Sequence, residues 1–222
     1  MLTLLEEAVL LAVDERSGQL RSAREFGTAY ALVGALFFDL ALARKIDTGT
    51  EDVQVLDATP TGNPALDRLL AEMAGRPEIP TVRDWIEAMF QRRDDLEGYA
   101  LASLAERGIL RHETSKRFWI VNVERFPLVD SGPQQQLKAR LAEAIRTDGI
   151  PETRDIMLVS LAAPCGLLEC VLSQAQLAAR RERIRLLCNL ETISRQVTEA
   201  ISGLDASFRD GGAAANAAQS LR

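Results

Sequence analysis

One histidine, His112, stands in 222 residues, which excludes a histidine-built metal cluster and leaves any nucleophile relay with a single candidate base. No Ser or Cys motif lies beside it. Three cysteines, Cys165, Cys170 and Cys188, cannot all pair within the chain, and none has the two-residue spacing of a zinc or redox motif, so they read as buried thiols. The chain has no Gly-x-Ser-x-Gly elbow, no Walker loop and no dinucleotide-binding glycine fingerprint. We therefore expect no enzyme activity, no metal and no cofactor. The longest apolar run, "AYALVGALFF" from Ala29 to Phe38, is about half the ~20 residues of a membrane span and is closed by Asp39, Arg44 and Lys45. It reads as a core helix. No basic, apolar and small-residue series of a secretory leader opens the sequence, so the expected location is cytoplasmic.

Lysine is also scarce. Of 26 basic residues 23 are arginine, a bias that points to a GC-rich, bacterial genome. The net charge of −6 argues against broad attraction to nucleic acid, so any polyanion must be met by a local patch. A composition of 47% hydrophobic and 26% charged residues is that of a globular domain. We expect one domain over residues 1–205 and a disordered tail over 206–222, where "DGGAAANAAQSLR" has too little apolar mass to fix itself.

The elements are mostly helical. Leu2 to Val13 favours helix by length and Leu/Ala content. "SARE" (Ser22 to Glu25) has the form of a capping box before a helix running to about Arg44. "VQVLD" (Val53 to Asp57) reads as a short strand. Asn63 and Pro64 open a helix whose Leu66, Leu69, Leu70, Met73 and Ala74 share one face, and Thr81 with Asp84 opens another whose stripe is Val82, Trp85, Ile86, Met89 and Phe90. A third, Asp95 to Arg107, ends at Gly108. "ILRHETSKRFWIVNVERFPL" reads as a hairpin with its turn at "ETSK" and its second strand through Phe118 to Val123. Helices follow from "DSGP" at 130–133 to Arg146, over Glu152–Ala163, and over Gln174–Ile201 with a break near Asn189.

Three stretches are candidates for function. Glu6 and Glu7 are adjacent in an aliphatic run; on a helix they point about 100° apart, so they cannot face one another across a substrate, and they read as an exposed or salt-bridged helix edge. Phe118, Trp119, Ile120 and Val121 are consecutive, so one hairpin face shows bulky apolar groups unless helices cover both. That face suits a partner or a membrane. In "ARRERIRLL", Arg180, Arg181, Arg183 and Arg185 against Glu182 make a local cluster of positive charge, suited to an anionic surface or merely solvated.

In order and spacing, "LTLLEEAVLLAVDERSG", "ALFFDLALARKI", "DATPTGNPALDRLL", "TVRDWIEAM", "LASLAERGIL" with its hairpin ending "FPL", and "LAARRERIRLLCNL" resemble the Golgi phosphoprotein 3 family from about Leu2 to Leu190. The resemblance implies a single mainly α domain with a central helical bundle, peripheral amphipathic helices and a protruding β-hairpin. It also makes the Glu6–Glu7 pair a mark of fold, not catalysis. Eukaryotic members are peripheral membrane proteins that bind phosphatidylinositol 4-phosphate and hold glycosylation enzymes at the Golgi. Their headgroup pocket uses a tryptophan and three arginines. Counted along this chain, those positions fall at Arg24, Val33, Asp94 and Glu97, and none matches.

The expectation is thus a non-enzymatic peripheral adaptor on the cytoplasmic face of a membrane. Its lipid contact would be a basic surface of Arg21, Arg24, Arg180, Arg181, Arg183 and Arg185, with Arg16, Arg92 and Arg93 near enough to rebuild a pocket. The hairpin residues Phe118, Trp119, Ile120 and Val121 would contact membrane or a second copy. The partners are anionic phospholipid, with phosphatidylinositol 4-phosphate among the candidates, a homo-oligomer and an unidentified protein client. Two alternatives remain. One is a soluble homo-oligomeric scaffold. The other is a winged-helix DNA-binding module over residues 64–128, whose recognition helix would carry Asp94, Asp95, Glu97 and Glu106, the wrong sign for phosphate contact. Nucleic acid is not expected.

Overall fold

The computed structural model describes residues 1–24, 26–48, 52–76, 81–117 and 121–190, with the backbone alone at 48, 115–117 and 121–123. Two largely apolar helices, whose few carboxylates are buried with the rest, form its centre. Every residue of α1 (Leu4–Ala12) is buried, and α2 (Gly27–Leu42) is buried from Tyr30 through Leu40. A helix apolar all round must be surrounded. Around them pack α3 (Pro64–Gly75), α4 (Val82–Phe90), α5 (Arg93–Glu106), α6 (Gly132–Arg146) and α7 (Thr153–Ala162). These carry apolar stripes: Leu66, Leu69, Leu70 and Met73 on α3, then Val82, Trp85, Ile86 and Met89 on α4. Ala74 is exposed and Phe90 only half-buried, so both stripes are one residue narrower than the spacing predicts.

Burying α1 whole leaves its end groups without water, and side chains from other helices take water's place. At its start Thr3 Oγ1 accepts from Glu6 N while Glu6 Oε2 accepts from Thr3 N, a capping box legible in "TLLE". The Asp39 carboxylate of α2 accepts from Leu4 N at 2.9 Å and Leu5 N at 3.1 Å. At its end the fully buried Gln134 of α6 donates through Nε2 to the carbonyls of Leu10 and Val13, both at 2.7 Å.

Two small antiparallel ladders sit outside the bundle. β1 (Ile46–Thr48) pairs with β2 (Val53–Val55), and β3 (Glu113–Arg117) with β4 (Val121–Arg125), in register from Glu113↔Arg125 to Arg117↔Val121. "ETSK" therefore lies in a strand, not a turn, and the second strand begins at Val121. Polar "ETSK" carries turn composition, but its backbone is held in the ladder opposite Asn122–Arg125. Phe118, Trp119 and Ile120 lie outside the described residues, as does the predicted tail.

One more expectation is corrected and another extended. Ser22 does not cap α2: its hydroxyl donates to Cys165 O at 2.7 Å and accepts from Arg24 N, and α2 begins after Phe26, whose φ of +56° is left-handed. The helix after "VLS" stops at Asn189, near the expected break, and breaks once more at Arg180, giving α8 (Gln174–Ala179) and α9 (Arg181–Cys188); residues beyond Leu190 lie outside the described ones. The break at Arg180 lets α9 lie on α7 with Leu187 buried. A 3₁₀ turn, Leu168–Cys170, precedes α8.

Candidate functional site

Glu6 and Glu7 are not an exposed edge: both are buried, at 2% and 4% exposure. Buried carboxylates need partners, and the three helices around α1 supply them. Glu6 Oε1 accepts from Ser103 Oγ at 2.5 Å and from Arg107 Nε at 3.0 Å, both on or just beyond α5. Glu7 turns the other way, to Arg140 Nη1 of α6 at 3.0 Å and Arg154 Nε of α7 at 2.8 Å. Arg140 also donates to Asp155 at 2.6 Å, and Arg154 to the carbonyl of Leu2 at 2.5 Å. Burial would lower the Arg140 pKa, but these carboxylates outweigh it and raise it. Every charge is spent holding α5, α6 and α7 to α1, which leaves the acid pair a structural clasp.

Four of the six candidate arginines line two grooves with no lining residue in common, and Arg24 and Arg185 line neither. Arg21 lines a cavity of about 610 Å³ with Arg16, Lys138, Asp14, Glu15 and Glu169. Arg21 pairs with Asp14 at 3.1 Å and Lys138 with Glu15 at 2.8 Å, so both signs alternate there. Arg24 is exposed in the turn before α2 and does not line this cavity. Arg180, Arg181 and Arg183 line a second groove with Asp148 and Leu186. There Arg180 meets Asp148 at 3.4 Å, and Arg183 donates to the carbonyls of Ala144 and Gly149. Arg185, also on α9, meets Glu182 at 3.4 Å.

Arg92 and Arg93 serve other purposes. Arg92 donates to Glu72 of α3. The Arg93 guanidinium lies 4.9 Å from the Phe90 ring centre and 5.8 Å from that of Phe26, and Tyr30 stacks on Phe90 at 4.5 Å. This aromatic–arginine cluster at the start of α2 has no signature in the sequence, because its members come from two stretches, 26–30 and 90–93, that only the fold brings together. Of the four counted pocket positions, Val33 is fully buried within α2 and offers no charge to a ligand. Asp94 is exposed, and Glu97 titrates above the usual range because burial and Asp94 both oppose its charge.

A family model described as Golgi phosphoprotein 3 (GPP34) matches residues 4–204. The chain belongs to the Golgi phosphoprotein 3 family. It is also similar to vacuolar protein sorting-associated protein 74 of Eremothecium gossypii, 27% identical over 208 residues that cover 78% of this chain and 62% of that relative. The chain thus spans less than two thirds of that relative's length. These comparisons lend no support to a bacterial source. As a Golgi phosphoprotein 3 family member the chain has the expected architecture, with mainly helical packing and a hairpin at its side. Its "DATPTGNP" segment is rigid for a polar reason: Asp57 accepts from Lys45 Nζ at 2.5 Å and Thr59 N at 2.8 Å, and Asp67 accepts from Thr61 N at 2.5 Å. The bonds from Lys45 and Thr59 hold the Asp57 pKa down to about 2.

Among the described residues of this family member no group of His, Cys, Asp and Glu is placed to hold a metal ion, and no helix is long and apolar enough to cross a membrane. The proposed DNA-recognition helix, α5, packs its Leu96, Ala100, Leu101 and Leu104 against α1 and α2, and Asp94 and Asp95 stand exposed at its start.

Proposed function

We propose that this chain is a non-enzymatic peripheral membrane adaptor of the Golgi phosphoprotein 3 type, docking on anionic phospholipid through a basic surface and an apolar hairpin. The observation that carries the reading is the arginine cluster at and just before α9, with Arg181 and Arg185 exposed, on an otherwise acidic protein that belongs to this family. Near an anionic bilayer each such charge contributes about 1 kcal/mol. Two hairpin side chains buried in the interface would add roughly 1.5–3 kcal/mol each, so attachment is weak and reversible. The headgroup contact of the eukaryotic pocket is not carried over, since Val33, Asp94 and Glu97 stand where arginines are counted. A phosphoinositide would have to be met by Arg21 and Arg24 instead.

The test is co-sedimentation with neutral vesicles, anionic vesicles, and vesicles carrying phosphatidylinositol 4-phosphate, each at low and physiological salt. Salt-sensitive binding to anionic vesicles that is lost in Trp119→Asp is the expected result. A phosphoinositide preference that disappears in Arg21→Ser/Arg24→Ser would place the headgroup at those arginines. No binding to any vesicle refutes the reading and leaves the soluble scaffold, for which Trp119→Asp would dissociate an oligomer in solution.

A further inference from the structure

The α9 arginines have aliphatic neighbours. Leu186 and Leu190, one turn apart, are 58% and 64% exposed, and Ile150 in the turn between α6 and α7 is 97% exposed. These are three of the few large hydrophobic side chains that stand exposed among the described residues. They lie on one side of the molecule. Asp148 and Leu186 line the same groove, Arg180 reaches Asp148, and Arg183 donates to the carbonyl of Gly149, next to Ile150. Arg183 is therefore the brace that holds the 147–150 turn against α9. At 100° per residue, Leu186 falls on the flank of α9 nearest Arg183, with Leu190 in the turn just past the helix end, while Arg181 and Arg185 fall on the opposite flank, the latter beside Glu182.

We infer that α9 and the α6–α7 turn form an interfacial wedge, in which Ile150, Leu186 and Leu190 enter the headgroup–acyl boundary of an anionic membrane while Arg181 and Arg185 meet its phosphates. The inference rests on the lipid-binding reading and adds a contact independent of the hairpin. Charge complementarity selects the occupant. A strip of aliphatic groups edged by arginine is the composition of a helix lying in an anionic interface, where apolar area and positive charge act together. Ile150, just before Pro151, stands almost fully exposed, so its side chain is free to insert.

The experiment uses the full chain with vesicles of phosphatidylcholine alone and of phosphatidylcholine with phosphatidylserine. Leu186→Ser/Leu190→Ser replaces exposed groups, so thermal unfolding should match that of the unsubstituted chain. Partitioning onto the anionic vesicles is expected to fall about tenfold or more, the size set by losing two partly inserted aliphatic side chains. Leu186→Phe/Leu190→Phe should keep it, and Arg181→Ser/Arg185→Ser should weaken it chiefly at low salt. If the serine variant binds like the unsubstituted chain while Trp119→Asp does not bind, the hairpin is the sole contact; the wedge is refuted and the lipid reading stands. If the serine variant instead dissociates an oligomer with vesicle binding unchanged, the face joins copies of this chain and the wedge is again refuted. If the unsubstituted chain binds neither vesicle, both fall.

Discussion

Replacing Arg154 by methionine removes two donors from the clasp on α1. Its Nε lies 2.8 Å from Glu7 Oε2, its Nη2 lies 2.5 Å from Leu2 O, and its own side chain is only 16% exposed. Arg140 still holds Glu7 Oε1 at 3.0 Å, so the carboxylate keeps one of its two guanidinium partners. A charge-assisted bond contributes roughly 1.5–3 kcal/mol, and an orphaned buried carbonyl costs about 1 kcal/mol or more. The sum, roughly 3 kcal/mol, is at the low end of what breaking a buried pair costs. For a domain of this size it lowers Tm by about 6–12 °C. Urea unfolding of Arg154→Met, Glu7→Gln and the double variant measures the coupling directly, and we expect the two changes to be non-additive by about 1 kcal/mol or more. A loss below about 0.5 kcal/mol in Arg154→Met, with additivity, would show that the clasp behaves as an exposed ion pair and would refute the argument.

Asp39 gives a pH dependence of definite sign. Burial raises its pKa from 3.8 to about 6, against the pull of the Leu4 and Leu5 amides. Because the folded value is the higher, its stabilising contribution is complete below the unfolded pKa and is lost as pH rises through 6. Relative to Asp39→Asn, which cannot titrate, the unsubstituted chain should therefore gain roughly 2 kcal/mol of unfolding free energy between pH 7 and pH 4, most of the two-unit shift. Parallel curves for the two proteins would refute this. Gln134→Leu strips the donor from two buried carbonyls, and denaturant unfolding should show a loss of about 2–5 kcal/mol. A loss under about 1 kcal/mol would mean that water enters to replace the amide.

What could be read along the chain was whatever neighbouring residues decide among themselves. Asn63 and Pro64 cap α3 because the cap is a bond from Asn63 Oδ1 to the amides of Ala65 and Leu66, two and three residues on. The α3 and α4 stripes are visible because a helix buries positions three and four apart. The same locality explains the misses. Ser22-x-x-Glu25 has the form of a capping box, yet the Ser22 hydroxyl goes to Cys165, a partner 143 residues away that no local pattern announces. β1 has no signature in the sequence because a three-residue strand carries almost no periodic signal, and the ladder to β2 makes it a strand. The break at Arg180 follows no breaker residue; α9 turns there to pack on α7.

The candidate site divides in the same way. Its charges and hydrophobic groups were countable in the sequence, as were the helical elements, the hairpin and the family. Which groups are consumed and which remain at the surface depended on chain segments meeting. Folding spends Glu6, Glu7, Arg107, Arg140 and Arg154 inside, because α1 is buried on every side and its carboxylates must be met by cations from α5, α6 and α7. It leaves Ile150, Leu186 and Leu190 beside the α9 arginines, because Arg183 ties the 147–150 turn to α9. Residue type and short spacing determined the elements; long-range burial and pairing, which no window of sequence contains, decided which side chains face water.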